Sequence, residues 1–153
     1  MGAAYFYHLT RRPLTEALPQ LLERALAQGW RVVVRGANPV NLDRLDEALW
    51  LWSGGEGFLP HGRAGGARDA DQPILLTEDR AAPNGAVCLM SVDGAEVTPD
   101  EVATSERVCI LFDGTDPQAV QAARGQWKAL TGAGCSAQYW SEESGRWEKK
   151  AEA

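Results

Sequence analysis

The chain has 153 residues, the size of one typical domain, which is enough to bury a hydrophobic core without disulfides or a structural metal. Hydrophobic residues make up 44% and charged residues 24% of the chain, which excludes disorder over most of its length. No apolar run approaches the roughly 18 residues of a membrane span, and residues 1–10 do not resemble a secretory signal peptide. We therefore expect one cytoplasmic domain over residues 1–148, with a frayed tail over residues 149–153.

The net charge indicates which partners the chain can bind, and the cysteine spacing indicates the redox state of its thiols. The net charge is −6, which opposes direct binding to nucleic acid because the phosphate backbone attracts Lys and Arg. We expect neither specific nucleic-acid binding nor membrane binding by the chain itself. Cys88, Cys109 and Cys135 form no C-x-x-C pair, which indicates reduced thiols and no disulfide.

Hydrophobic periodicity predicts alternating strands and helices. Predicted strands cover residues 3–9, 30–35, 74–77, 86–92, 107–112 and 136–140; predicted helices cover residues 14–28, 39–52 and 117–130. Because proline is tolerated in the first turn of a helix, the first helix could also begin later, near Pro19. The second and third helices each have a capping residue followed by proline, at Asn38-Pro39 and Asp116-Pro117. After the last predicted strand, residues 142–145 predict a turn that could return residues 146–147 as a short hairpin arm.

The predicted strands in the middle of the chain are continuous apolar runs, typical of strands that are covered on both faces. Strands that alternate with helices favour a largely parallel sheet, because parallel neighbours need crossover connections. The sequence therefore predicts a three-layer, Rossmann-like α/β fold with a mostly parallel central sheet.

The chemistry that often accompanies such a fold is missing from the sequence. The turn after the first strand, Thr10-Arg11-Arg12-Pro13, has no glycine for a phosphate-binding loop. The glycines at 132 and 134 follow a helix and precede a strand, the reverse of the order in a dinucleotide site. His8 and His61 have no neighbouring ligands at metal-binding spacing. We predict that the chain is not an enzyme; a nucleotide-dependent enzyme on the same fold is the alternative.

Two groups of residues indicate protein binding. Trp50 and Trp52 point about 200° apart on a helix, so one of them should reach an exposed or interface position. Arg124 and Lys128 lie four residues apart beside Trp127, an arrangement that can hold an acidic peptide with an aromatic anchor. The alternative for this basic pair is that it only complements the dipole of the helix.

Segments along most of the chain together form a recognisable pattern. They are Phe6-Tyr7-x-Leu9, Leu18-Pro19-x-Leu21-Leu22-Glu23-x-Ala25-Leu26, Leu45-Asp46-Glu47-Ala48-Leu49-Trp50, Phe58-Leu59-Pro60-His61-Gly62, Phe112-Asp113-Gly114, Ala123-Arg124-x-x-Trp127-Lys128 and Tyr139-Trp140 with Gly145-x-Trp147. In this order and spacing they resemble the chi subunit family of bacterial DNA polymerase III.

The resemblance implies a non-catalytic accessory subunit of the clamp-loader complex, with no cofactor. Its expected partners are the psi subunit, on a surface with Trp50 and Phe58, and the acidic C-terminal tail of single-stranded DNA-binding protein. The resemblance also implies a DNA-repair helicase as a possible partner on the same surface as the psi subunit. The terminal Pro-Phe and carboxylate of the tail are expected in an apolar notch beside basic side chains. The expected tail-binding residues are Arg124, Trp127, Lys128, Tyr139 and Trp140.

Three departures from the family pattern lie near the expected notch. Leu130-Thr131 stands where relatives often have an aromatic and a basic residue, and Cys135 replaces a larger apolar residue. Gly125 lies within the predicted helix, at a cost of about 1 kcal/mol relative to Ala. These differences predict a shallower or less basic notch.

Overall fold

A computed structural model describes residues 2–52, 59–144 and 146–153, and its central feature is an eight-stranded sheet. The elements are β1 (Ala3–Leu9), α1 (Leu14–Ala27), β2 (Val32–Arg35), α2 (Pro39–Trp50), β3 (His61–Arg63), β4 (Ile74–Thr77), β5 (Cys88–Ser91), α3 (Pro99–Thr104), β6 (Arg107–Asp113), α4 (Pro117–Gly132), β7 (Ser136–Ser141) and β8 (Glu148–Glu152). A single turn of 3-10 helix (Asp69–Asp71) precedes β4. The strand order across the sheet is β3-β4-β2-β5-β6-β1-β7-β8.

The sheet is parallel except at one edge. β1 pairs in parallel with both β6 and β7, and β2 pairs in parallel with β4 and β5. β8 runs antiparallel to β7. These pairings confirm the prediction of an α/β fold with a mostly parallel sheet.

Both faces of the sheet are covered, and the central strands alternate between two hydrophobic clusters. In β1, Phe6 contributes to the cluster beneath α3 and α4, whereas Tyr7 contributes to the cluster beneath α1 and α2. Val33 and Val34 of β2 divide between the clusters in the same way. Burial on both faces explains why the strands are apolar without a break.

The helices begin close to the positions that the sequence predicts. The side chain of Asn38 accepts a hydrogen bond from the Val40 amide, and Asp116 accepts one from the Gln118 amide, so both caps form. α1 begins at Leu14 and contains Pro19, so the earlier of the two possible starts is the observed one. α2 ends at Trp50, two residues before the predicted end. None of the helices in the described ranges is long and apolar enough to cross a membrane.

Three elements differ from the sequence predictions. β3 and α3 were not predicted, although Thr98 and Glu101 form a capping box that was visible in the sequence. Residues 149–152, expected to fray, form most of β8. Their polar sequence gives no strand pattern, and the strand forms through pairing with β7. Ala137 and Ala153 exchange two backbone hydrogen bonds, of 2.8 and 3.3 Å, at the end of this pairing.

Arg35 joins three segments at the carboxyl end of β2. Its guanidinium group is 6% exposed and donates to the carbonyl oxygens of Asp79, Arg80 and Glu96, which belong to the connections after β4 and β5. It also donates to Oε2 of Glu101 in α3, at 2.6 Å. Burial raises the pKa of the Glu101 carboxyl, but the hydrogen bonds from Arg35 and Thr98 outweigh burial and lower that pKa.

We predict that Arg35→Met lowers the free energy of unfolding by about 3 kcal/mol, because it leaves a carboxylate and three carbonyl groups without their cationic donor. Urea denaturation at pH 7 measures the change, with Arg44→Met as the control at an exposed position of α2. Equal stability of the two variants would contradict the prediction.

The same contact predicts a dependence on pH. Because the pKa of Glu101 is lowered in the folded chain, its contribution to stability is complete above its usual value of 4.5 and is lost as the pH falls through the lower folded value. We expect the free energy of unfolding to decrease less steeply below pH 4.5 in Arg35→Met than in the unmodified chain. Parallel slopes in urea denaturation between pH 3 and 5 would contradict this.

Candidate functional site

A notch lies between α4 and the β7-β8 edge of the sheet, with a volume of about 620 Å³. Arg124, Trp127 and Lys128 of α4 line it together with Tyr139 of β7. Gln121, Gly125 and Ala151 complete the lining. The structure therefore brings together four of the five residues that the sequence analysis expected to bind an acidic tail.

The packing of α4 determines which of its side chains reach the notch. Ala123 and Leu130 are buried against the sheet, whereas Arg124 and Lys128 are exposed and adjacent on the helix surface. Trp127 lies between these two sets and is half-buried. The notch consequently has an apolar base and two cations on its α4 side.

Aromatic rings form the base of the notch. The Trp127 ring packs against Phe6 of β1 and against Tyr139, with centroid distances of 5.3 and 6.1 Å. The Tyr139 ring also contacts Phe112 of β6, at 6.0 Å. Since Phe6 and Phe112 belong to the hydrophobic core, the core holds both rings of the notch in place.

The hydroxyl group of Tyr139 is part of the site. Its oxygen is hydrogen-bonded to Nδ1 of His8 at 2.6 Å. Burial raises the pKa of Tyr139, the positive charge of Arg124 opposes this shift, and Glu143 adds to it. The phenol is therefore protonated at neutral pH and can donate a hydrogen bond. Sequence reasoning considered His8 as a possible metal ligand and missed this pair, because the two residues are 131 positions apart.

Trp140 does not lie in the notch, which corrects the sequence prediction. Consecutive residues of a strand point to opposite faces of the sheet, so Trp140 packs with the cluster beneath α1 and α2 while Tyr139 faces α4. Its indole Nε1 donates to Oε1 of Gln138 at 3.1 Å. Trp140 supports the opposite face of the sheet at this edge.

Of the residues that depart from the family pattern, some line the notch and others do not. Leu130 is fully buried, and the Thr131 hydroxyl donates to the carbonyl oxygen of Trp127 at 2.7 Å, so neither residue lines the notch. Gly125 does line it, with open space where a Cβ atom would lie. The absence of a side chain at Gly125 keeps the notch open between Arg124 and Lys128.

A second surface lies at the C-terminal end of α2. Trp50 is 57% exposed and Leu51 is 73% exposed, and the Trp50 ring lies 4.6 Å from the ring of His61 in β3. Trp52 is half-buried and its indole donates to Glu23. This confirms that one of the two tryptophans reaches the surface and identifies it as Trp50. Sequence reasoning missed Leu51, and Phe58 lies outside the described residues.

The turn between β1 and α1, where a Rossmann-like fold would bind phosphate, holds a carboxylate of the chain itself. Glu142 is 1% exposed and accepts hydrogen bonds from the backbone amides of Arg11 and Arg12, at 3.1 and 2.9 Å. The Nε atom of Arg12 lies 3.4 Å from the same carboxylate. In the described ranges no three His, Cys, Asp or Glu side chains are grouped so that they could hold a metal ion.

The two candidate surfaces lie at opposite edges of the sheet. α2 packs beside β3, the first strand in the sheet order, and the notch adjoins β8, the last. Seven strand spacings of about 4.8 Å separate these edges, which is about 34 Å. The two candidate surfaces therefore do not overlap.

A family comparison and a comparison with an individual protein both relate the chain to chi subunits of DNA polymerase III. Residues 1–138 match the family described as "DNA polymerase III chi subunit, HolC". The chain is similar to the "Probable DNA polymerase III subunit chi" of Rickettsia prowazekii (strain Madrid E), with 23% identity over 112 residues that cover 70% of this chain and 67% of that protein. The family match includes Trp50 and the basic residues of α4, and it ends one residue before Tyr139. The chain belongs to the family of DNA polymerase III chi subunits.

Proposed function

We propose that the chain is a non-catalytic accessory subunit that joins two proteins during DNA replication. One partner is the psi subunit of the clamp loader, and the other is the acidic C-terminal tail of single-stranded DNA-binding protein. The observation that carries the proposal is the notch, in which two exposed cations, Arg124 and Lys128, stand beside the half-buried rings of Trp127 and Tyr139.

The notch suits an acidic peptide that ends in an aromatic residue. The aromatic side chain would pack on Trp127 and Tyr139, and the acidic groups would lie near Arg124 and Lys128. Charge-assisted hydrogen bonds contribute roughly 1.5–3 kcal/mol each. Salt screens charges beyond a Debye length of about 10 Å at 0.1 M, so the affinity should fall as salt rises, while the aromatic contact should change less.

The surface at the end of α2 suits the psi subunit. Large apolar side chains that are exposed in the isolated chain are typical interface anchors, and Trp50 and Leu51 are adjacent. The family resemblance also makes Phe58 a proposed psi-binding residue. A DNA-repair helicase would compete with the psi subunit here.

A nucleotide-dependent enzyme is disfavoured by Glu142. The amides of Arg11 and Arg12 already donate to this buried carboxylate, and a phosphate at the same turn would meet its negative charge. We therefore include in the proposal that the Rossmann-like fold serves here as a scaffold without a phosphate-binding loop.

Reversing one charge tests the tail site. We predict that Arg124→Glu weakens the binding of a labelled acidic tail peptide at least ten-fold, about 1.4 kcal/mol, because a carboxylate would face the acidic groups of the peptide. Fluorescence anisotropy at low salt measures the affinity.

The matched control is Arg44→Glu, which makes the same charge change at an exposed position of α2 on the other face of the sheet. Circular dichroism checks that both variants fold. Neither Arg124 nor Lys128 lies in the last turn of α4, so the structure does not support a role that is limited to the helix dipole. An affinity of Arg124→Glu equal to that of Arg44→Glu would show that Arg124 does not bind the tail, and the tail site would then lie elsewhere.

Removing an exposed side chain tests the psi surface. We predict that Trp50→Ala weakens the complex with the psi subunit by about 2 kcal/mol, roughly thirty-fold, with no effect on tail binding. Co-elution in size-exclusion chromatography and calorimetry measure the complex. Val40→Ala is the control, because Val40 is also 57% exposed but lies at the other end of α2. Unchanged complex formation by a folded Trp50→Ala variant would overturn this assignment.

A further inference from the structure

We propose that His8 is a positioning residue of the notch: its Nδ1–H donates to the Tyr139 hydroxyl oxygen, so that the hydroxyl proton is free to donate to the C-terminal carboxylate of an acidic peptide held by Arg124. The proposal rests on the proposed tail-binding function and adds a specificity-determining hydrogen bond to it.

His8 and Tyr139 face the same side of the sheet. Residues 4 and 6 of β1 contribute to the cluster beneath α4, and His8 continues this alternation. Tyr139 lies beside Phe6 in the parallel register of β1 and β7. The histidine ring consequently stands next to the tyrosine ring, with a centroid distance of 5.8 Å in addition to the 2.6 Å hydrogen bond.

The histidine ring is held from two further sides. It packs against Phe112 with a centroid distance of 5.1 Å. The backbone at Gly114 approaches so closely that a Cβ atom there would lie 2.0 Å from Nε2 of His8. The Gly114 amide donates to the carbonyl oxygen of Leu9 at 2.7 Å, which fixes this approach. His8 therefore has a fixed orientation and can impose one on the Tyr139 hydroxyl.

Of the two charges that act on Tyr139, Arg124 favours an anionic ligand and Glu143 opposes one. Arg124 acts electrostatically on Tyr139, and both line the notch, so one carboxylate can lie within reach of both. Asp113 at the end of β6 interacts electrostatically with His8 and accepts hydrogen bonds from the amide and hydroxyl of Thr115. Glu143 also acts on Tyr139 and is exposed.

The chemistry of the phenol explains why its partner matters. A tyrosine hydroxyl has one proton and two acceptor lone pairs. If Nδ1 of His8 accepted a hydrogen bond from the hydroxyl, the hydroxyl would have no second proton to donate to the peptide. When Nδ1 donates instead, the proton can point into the notch. A terminal carboxylate then gains one hydrogen bond that a terminal amide, which has no negative charge, accepts only weakly.

The test compares two labelled tail peptides of the same acidic sequence, one with a free C-terminal carboxylate and one with a C-terminal amide, by fluorescence anisotropy on the full chain. Tyr139→Phe removes the hydroxyl, His8→Leu removes its partner, and His8→Asn retains a donor near the position of Nδ1. We expect Tyr139→Phe and His8→Leu each to weaken binding of the carboxylate peptide about five-fold and to leave the amide peptide nearly unchanged.

Two further comparisons separate positioning from packing. His8→Asn should restore most of the preference for the carboxylate peptide, and the double variant Tyr139→Phe/His8→Leu should bind it no more weakly than Tyr139→Phe alone. If Tyr139→Phe keeps the full preference for the carboxylate, the proposal is overturned. Should His8→Leu fail to fold, Tyr139→Phe and His8→Asn still decide the question.

The outcomes also separate this proposal from the tail-binding function. If the unmodified chain binds neither peptide, or if Arg124→Glu binds as tightly as the unmodified chain, the tail function fails and the hydrogen-bond role fails with it. If Arg124→Glu loses binding while the Tyr139 and His8 variants keep the unmodified preference, only the role of the pair is overturned.

Discussion

The parallel pairing of β1 with β6 on one side and β7 on the other is the interaction on which the sheet and the notch both depend. It runs in register from Ala3 to Leu9 against β6 and from Ala3 to His8 against β7. Phe6 lies beneath Trp127, and His8 holds Tyr139. A shift of β1 by one residue would turn both side chains to the other face and remove the base of the notch.

In α4, the side chains that pack in the core differ from those that are proposed to bind a tail. Ala123 and Leu130 bury its inner side, and the exposed Arg124 and Lys128 contribute little to the core. Trp127 alone serves both, since its ring packs on Phe6 and also lines the notch. Charge on the outer side of α4 can therefore change with little effect on stability, whereas a change at Trp127 affects both properties.

Local patterns in the sequence predicted most of the sheet and the helix starts. β1 and β4 have the predicted bounds, and α4 begins at Pro117 after its Asp116 cap as expected. These elements are recognisable because continuous apolar runs and capping residues act locally. A hairpin return after β7 was predicted at residues 146–147, whereas the observed strand β8 covers Glu148–Glu152, because its residues are polar and form a strand only through pairing with β7.

In the candidate site, too, local features are predictable from the sequence, whereas contacts between distant parts of the chain are not. The spacing of Arg124, Trp127 and Lys128 on one helix was readable from the sequence, and the structure places them together. Strand alternation places Tyr139 and Trp140 on opposite faces of the sheet, so this separation is also readable from the sequence. The contact between His8 and Tyr139 joins distant parts of the chain, so only the assembled sheet reveals it.

The position of the two surfaces at opposite edges of one sheet has a consequence for affinity. In the proposed bridge, a chain that holds one partner at the β3 edge keeps the other candidate surface about 34 Å away across one continuous sheet. If the two proposed partners are themselves joined, for example on one DNA molecule, the second contact forms at a high effective concentration, and the two contacts together can be far tighter than either contact alone. The proposed bridge thus needs no conformational signal between its ends, and its strength is set by the spacing that the sheet fixes.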